Sequence, residues 1–293
     1  MKTGIKLKDD LLFQILVNGF LLTVLLVIAI PIWRVFMMSL TPLGYIDDKT
    51  FGLWIPPWMW SFEAYKQLLN HPAFIQATLN STIIMVVGVI ISMLLTVPLA
   101  YALSNQHLPG RKLITGVILV PFLFQAGLIP TYLVVQRLGL VDNLFAIILP
   151  GAVSVYNTLV MKGFFEGLPE ELKEAALLDG ANELQVMWHV ILPLSKPILL
   201  TIGLFYAVSL WNEFFTPILY LNKNDLMPLP VLLRNILMAA NINEYLEYDA
   251  FSNAPIQAFK AASVFITMLP MVIVYPWIQK YFTKGTLLGG VKE

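Results

Sequence analysis

The chain has 293 residues, of which 58% are apolar and only 12% charged, about half the charged share of an ordinary soluble domain, and its mean hydropathy is +0.76. Too few polar groups are present to cover a soluble protein of this size, so the solvent this composition calls for is lipid. Eighteen basic and eighteen acidic residues cancel, which leaves a nucleic-acid partner without electrostatic support, and the absence of cysteine removes disulfide frameworks, thiol catalysis and Cys-based metal sites. His71, His107 and His189 are scattered and show no metal-ligand spacing.

A helix needs about 20 apolar residues to cross the hydrocarbon. The first such stretch covers residues 11–38. Lys2, Lys6 and Lys8 precede it as in a secretory signal. Its apolar run is too long for one, however, and Ala29-Ile30-Pro31 is no small-residue cleavage site. It reads as a retained span. A connection over 39–78 follows, with Trp54, Trp58 and Trp60 around Pro56 and Pro57, a composition suited to a wet–apolar boundary. Further spans are predicted over 79–103, 113–136 and 144–163. A connection over 164–197 leads to a fifth span over 198–221. A second long connection, 222–260, carries Pro228, Pro230 and a polar stretch over 241–253, and a sixth span over 261–282 ends the series. The expected fold is an all-α membrane protein, one six-span domain over residues 1–293. With the N-terminus in the cytoplasm, eleven Lys and Arg fall inside and six outside. The bias of basic residues therefore predicts two cytoplasmic termini, with 39–78 and 222–260 outside and 164–197 inside. Each long outer connection reads either as an interfacial cap or as a docking surface for an external partner.

Residues 164–197 hold the densest local cues. Pro169 suits the first helical position, Glu170 and Glu171 favour the positive end of a helix dipole, and Gly180 can close the helix in a left-handed conformation. Asn182, with Gln185 three residues on, offers a capping box for a second helix, which Pro193 is expected to interrupt. Pro197 can open the fifth span. Leu172, Ala175, Ala176 and Asp179 fall on one face of the first helix. Two small residues there would let another backbone approach closely, as in helix-in-groove docking. Periodicity alone leaves that reading level with a helix packed on its own bundle.

Glu174-Ala175-Ala176, three residues, Gly180, nine residues, then Val190-Ile191-Leu192-Pro193 resembles the EAA motif of the permease subunits of ATP-binding-cassette importers, EAA-x3-G-x9-I-x-L-P. Val190 in place of isoleucine is the one departure. Leu128-Ile129-Pro130-Thr131-Tyr132, Leu138-Gly139-Leu140, Ile148-Leu149-Pro150-Gly151 and Trp211-Asn212-Glu213-Phe214 are similar to the carbohydrate branch that contains the maltose permeases. Gln125-Ala126-Gly127-Leu128-Ile129-Pro130 and the run from Pro228 to Arg234 look like a subgroup that takes up oligosaccharides of plant or algal polysaccharides, often acidic ones. The resemblance implies a bacterial cytoplasmic-membrane location, a second related permease, two cytoplasmic ATPase subunits and an external solute-binding protein. It also implies a coupling helix, with Glu170, Glu171, Glu174, Ala175, Ala176, Asp179, Gly180, Val190, Leu192 and Pro193 forming the surface that the ATPases move. No GxxxxGK[ST] loop is present, so ATP and Mg²⁺ are expected on the ATPases, with no cofactor or metal on this chain and no enzymatic activity of its own.

A charge within a span is expensive and marks function or a polar bridge between helices. Glu213 is the clear case. It could line a watery sugar pathway, with Asn212 beside it and Trp211 offering a ring face, or it could serve structure. Ser154, Tyr156 and Asn157, then Gln125 and Tyr132, are weaker pathway candidates. Three other readings stand beside the sugar importer. An ion-driven secondary transporter would show repeated halves and more intramembrane charge. A membrane enzyme would need a catalytic constellation. The same importer architecture with another cargo differs only in the flanking resemblance.

Overall fold

The computed structural model describes residues 6–42, 53–124, 126–238 and 256–289. Among them the elements are helices, with no strand. In chain order they are α1 (Lys6–Ser39), α2 (Glu63–Asn70), α3 (Pro72–Ser104), α4 (Arg111–Leu123), α5 (Leu128–Arg137), α6 (Phe145–Ile148) and α7 (Val155–Glu166). There follow α8 (Glu170–Leu178), α9 (Glu183–Val186), a π turn (Met187–Ile191), α10 (Leu192–Leu194) and α11 (Lys196–Asn212). The last are α12 (Phe215–Tyr220), α13 (Leu229–Met238) and α14 (Ile256–Gly289). Three continuous helices are long and apolar enough to cross a membrane, Phe13–Ser39, Pro72–Ser104 and Ile256–Val274, and two bent helix pairs raise the number to five.

Three of the expected spans are not continuous, and for the fourth and fifth the sequence names the cause. The third stretch, 113–136, is α4 and α5 with axes 113° apart. The fourth, 144–163, is no single helix: α6 stops before Pro150-Gly151, and α7 restarts at Ser154, whose Oγ accepts the Asn157 N–H at 3.3 Å as an N-cap. The fifth, 198–221, breaks at Glu213, where the backbone is extended between α11 and α12. Among its described residues, the connection 39–78 is not all loop: it contains α2 and the first two turns of α3. The polar stretch 241–253 lies outside the described residues.

The chain divides into two compact units. In the first, Met1–His71 with Asn235–Met268, the tryptophan segment folds back on itself and on the end of α1. The Trp33 and Trp60 indole N–H groups donate to the Leu53 and Ile55 carbonyls, both at 2.9 Å, and the Ser61 N–H donates to Leu40 O at 3.0 Å. Trp58 remains 85% exposed, as suits a ring at an interface. Ala64 of α2 packs with Ala258 and Ala262 of α14, small residues that bring helix backbones close. In α1, no residue of the most apolar window is buried. A helix apolar all round and uncovered needs lipid or another subunit against it.

The second unit, Pro72–Arg234 with Leu269–Glu293, is built on α3, α7 and α11. Gly88 of α3 lets α11 come near: a Cβ there would sit 2.5 Å from Leu210 Cδ1. The buried Tyr206 hydroxyl of α11 pairs with Thr96 Oγ1 of α3 at 2.7 Å and accepts the Ser154 N–H at the start of α7 at 3.0 Å. One phenol thus satisfies polar groups on all three elements in a region where an unpaired one is costly. At the other end of α3, Asn80 Nδ2 donates to the Asp225 and Met227 carbonyls at 2.8 and 3.1 Å, and Ser81 Oγ accepts the Leu229 N–H at 2.7 Å. These bonds fix the approach to α13.

Candidate functional site

The connection 164–197 is folded throughout. Pro169 is the N-cap of α8, with φ −57° and ψ 127°, one position earlier than expected. A residue with extended ψ cannot yet be helical, but its fixed φ still presets the turn. At the other end the Gly180 N–H donates to Leu177 O and the Ala181 N–H to Ala176 O, both at 3.0 Å. These are the paired bonds of a Schellman stop. They require the left-handed φ of +86° that Gly180 has and that residues with a Cβ adopt at a cost of about 1–2 kcal/mol. Asn182 and Gln185 form the expected capping box: Asn182 Oδ1 accepts the Gln185 N–H at 2.9 Å, and Gln185 Oε1 accepts the Asn182 N–H at 2.8 Å. Pro193 does not interrupt the helix it follows. The π turn Met187–Ile191 stands before it, and the chain stays helical through Leu194. Widening the turn is a known way to accommodate a residue that lacks an N–H. The chain then turns by 86° into α11, with Pro197 in that helix's first turn.

The loop is welded to the spans by packing. Val186, Met187 and Ile191 are buried in one cluster with Val97 and Ala100 of α3, Met161 and Phe165 of α7, and Ile198 and Ile202 of α11. Ala176, Val190 and Leu192 pack against that cluster. Burying a side chain of this size contributes roughly 1.5–3 kcal/mol, against about 0–1 for an exposed ion pair, so packing holds the loop. Ala175 and Ala176 therefore do not form one open small-residue patch. Helix rotation turns Ala176 inward and leaves Ala175 exposed. The outward face carries Leu178 at 89%, Leu184 at 67% and Trp188 at 59% exposure, amid the exposed Glu170, Glu171, Leu172, Glu174 and Asp179. These apolar side chains stand open among carboxylates.

A polar clamp adds registration. The Tyr101 hydroxyl, near the end of α3, donates to Glu183 Oε2 at 2.6 Å. Lys173 Nζ of α8 lies 3.2 Å from Glu183 Oε1 and 5.5 Å from the centre of the Tyr101 ring. Burial alone would raise the Glu183 carboxyl, but the hydrogen bonds from Tyr101 and Lys173 and the Lys173 charge hold it below its ordinary value of 4.5. No local sequence signal joins Tyr101 to residues 72 and 82 positions away, and the sequence reading missed it.

The pathway candidates do not converge. Gln125 lies outside the described residues. Tyr132 stacks on Tyr220, with centroids 5.7 Å apart and planes at 10°. Ser154 is committed to capping α7, and Asn157 is buried beside it at 6% exposure, whereas Tyr156 is open at 56%. Trp211 is 3% exposed, which corrects the expectation of an open ring face: the packing of α11 covers it. Asn212 Nδ2 bonds back to Val208 O at 2.8 Å. Glu213 Oε1 accepts the N–H groups of Phe215 and Thr216 at 3.1 and 3.0 Å. It thereby caps the first turn of α12, so this acid has a structural duty at the span's break. A cavity of about 390 Å³ beside α5 is lined by Pro130, Thr131, Val134, Leu138, Leu149 and their neighbours and includes none of these candidates.

The Glu213 geometry makes a prediction. Glu213→Gln keeps an acceptor oxygen and is expected to leave thermal stability in detergent within about 0.5 kcal/mol, whereas Glu213→Ala loses the cap and about 0.5–2 kcal/mol. Melting curves of the two variants separate this role from one that needs the charge.

Residues 72–287 match the family described as binding-protein-dependent transport system inner membrane component. The chain is 38% identical to the polygalacturonan/rhamnogalacturonan transport system permease protein YtcP of Bacillus subtilis, over 96% of this chain and 98% of that one. It is 41% identical to Protein LplC of the same organism, over 85% and 81%. Among solved structures it resembles a chain of a bacterial ABC transporter involved in the import of the acidic polysaccharide alginate, with a TM-score of 0.84 and 33% identity over 94% of this chain and 98% of that one. A helical membrane chain whose ordered loop is packed into its spans, matched over most of its length, belongs to the family of binding-protein-dependent transport system inner membrane components and is a permease subunit.

Proposed function

We propose that this permease forms half of the pathway of an ATP-driven importer for oligosaccharides derived from an acidic polysaccharide. The outward face of α8 and α9 serves as the surface through which cytoplasmic ATPases move the spans. The observation that carries the coupling reading is the two-sided construction of the loop: Val186, Met187 and Ile191 are sunk into the core of α3, α7 and α11, while Leu178, Leu184 and Trp188 face outward beside Glu174 and Asp179. A load applied to the outer face must pass into three spans. The motif positions divide accordingly. Ala176, Val190, Leu192 and Pro193 hold the loop's inner side and Gly180 its bend, and Glu170, Glu171, Glu174, Ala175 and Asp179 meet the partner.

In this reading two ATPase subunits carry ATP and Mg²⁺, and this chain supplies neither catalysis nor a cofactor site. A second, related permease completes the pathway and covers apolar surface such as that of α1. An extracytoplasmic binding protein delivers the cargo, and both termini lie in the cytoplasm. Closure of the ATPases on ATP draws the loops together and opens the spans outward, and hydrolysis resets them. Support for the cargo comes from the relatives, one named for polygalacturonan and rhamnogalacturonan, another for the acidic polysaccharide alginate.

Uptake by the reconstituted transporter tests the cargo. Oligogalacturonate or alginate oligomers should enter with ATP and its binding protein, and a neutral maltooligosaccharide should compete poorly. Uptake driven by an ion gradient without ATP would sink the reading. For the surface, Leu178→Asp places a charge where an apolar side chain would be buried. Copurification of the ATPases should fall at least tenfold, the effect of losing about 1.4 kcal/mol or more of contact. Because Leu178 is 89% exposed in the chain alone, the permease itself should still be inserted.

A further inference from the structure

A cleft of about 340 Å³ opens between α4 and α7, lined by Arg111, Lys112, Thr115, Gly116, Leu119 and Lys162. The motif and the coupling loop account for none of these residues. Among the described residues, Glu166 is the carboxylate bound to its cations: Arg111 Nη2 pairs with Oε1, and Lys162 Nζ reaches Oε1 and Oε2 at 2.9 and 3.0 Å. Three cations against one carboxylate leave two net positive charges at the rim. Arg111 is itself held, since its Nε donates to Leu103 O at 2.8 Å. The rim is thus a braced cationic shelf with Lys112 exposed beside it.

The remaining wall is Thr115, Gly116 and Leu119, a threonine hydroxyl beside mainly apolar surface. A Cβ added at Gly116 would meet nothing within 4 Å, so the space beside this glycine is open to a ligand. The outer surface of the same helix continues through Leu113 at 71%, Val117 at 62%, Val120 at 55% and Leu123 at 68% exposure, a face only lipid or another apolar surface can solvate. A phosphate-bearing ligand of the free aqueous kind would match the rim but gain nothing from this face. A ligand with an anionic head and an acyl chain matches both.

We infer that this cleft is a binding site for one anionic phospholipid, its headgroup phosphate on Arg111, Lys112 and Lys162 and its chain along Gly116 and Leu119. The inference rests on the proposed orientation, which puts this end of α4 and α7 at the cytoplasmic leaflet. There, basic pockets between spans attract anionic headgroups.

The test uses the assembled transporter in nanodiscs of phosphatidylglycerol and phosphatidylcholine, with retained lipid counted by native mass spectrometry. One phosphatidylglycerol should be retained per permease in preference to phosphatidylcholine. Lys112→Gln with Lys162→Gln should weaken that retention on the order of thirtyfold, about fivefold per lysine near the surface. Arg111 still pairs with Glu166 in that variant, so the fold keeps its brace. The charge-keeping pair Lys112→Arg and Lys162→Arg should retain the lipid, and Gly116→Phe, which puts a ring into the open space of the cleft with every charge in place, should lose it. Equal retention of the two lipids, or no response to the Gln pair, overturns the site. Displacement of the lipid by millimolar inorganic phosphate, or indifference to Gly116→Phe, overturns the lipid assignment in favour of a plain anion shelf. Lipid retention is read without transport, so its failure is separate from any failure of the coupling scheme.

Discussion

Gly180→Pro is expected to abolish uptake while leaving the permease in the membrane and bound to its ATPases. The left-handed φ of +86° at this position is closed to proline, whose ring fixes φ near −65°. Proline also removes the N–H that donates to Leu177 O at 3.0 Å, and the neighbouring Ala181–Ala176 bond cannot form without the same turn. The stop of α8 is then lost at about 3 kcal/mol or more. The angle between α8 and the capped start of α9 is lost with it. The packed half of the loop, from Val186 to Ile191, lies beyond the damage, so the core of α3, α7 and α11 should survive. ATP hydrolysis should continue with sugar transported per ATP reduced at least a hundredfold. Gly180→Ala, which bears only the strain of about 1–2 kcal/mol, should be intermediate. Glu174→Lys leaves the backbone alone but reverses a charge on the outward face, and it too should uncouple hydrolysis from uptake. Wild-type uptake by either Gly180→Pro or Glu174→Lys would contradict the coupling role.

The second large effect is expected at the clamp. Glu183→Lys places two ammonium groups side by side with Lys173 and removes the acceptor of the Tyr101 hydroxyl. α9 then loses its ties to the end of α3 and to α8. Each contact is partly open to solvent and contributes about 1 kcal/mol or less, so the fold should hold. The effect belongs in the mechanics. Uptake per ATP should fall about tenfold, and the Lys173→Glu, Glu183→Lys double variant should recover a good part of it. Tyr101→Phe keeps a ring beneath Lys173 and loses only the hydroxyl, and should cost a few-fold. The pH dependence has a definite sign. The Glu183 carboxyl is held below its ordinary 4.5 in the folded chain. Its contribution is therefore complete above that value and lost as the pH falls through the depressed one. Coupling should be flat at neutral pH, and in the Glu183→Gln variant the acid-side loss due to the clamp should disappear. A Glu183→Lys variant that couples as well as the wild type would remove the clamp from the mechanism.

The clamp shows why a motif is not yet a mechanism. In the proposed reading, Glu174 to Pro193 describe a loop that a partner grips. What the grip moves depends on the loop's other side, where Ala176, Val186, Met187 and Ile191 meet three spans. Pro193 shows the same limit at smaller scale. Read as text it ends a helix, and in three dimensions a π turn carries the helix past it.

The sequence by itself determined the membrane habitat, the helical class and the local build of the loop over 164–197. Those properties depend on composition and on contacts within a few residues: a 20-residue apolar run, a Gly that must turn left, an Asn and a Gln that cap one another. The same local logic explains the breaks at Ser154 and Glu213, where a side chain satisfies backbone N–H groups two or three positions ahead. Only the tertiary structure decided which face of α8 is covered, that Trp211 is shut in, that Tyr206 binds α3 and α7 together, and that Tyr101 reaches Glu183. Those facts join residues tens of positions apart, and periodicity says which residues share a face without saying what the face meets.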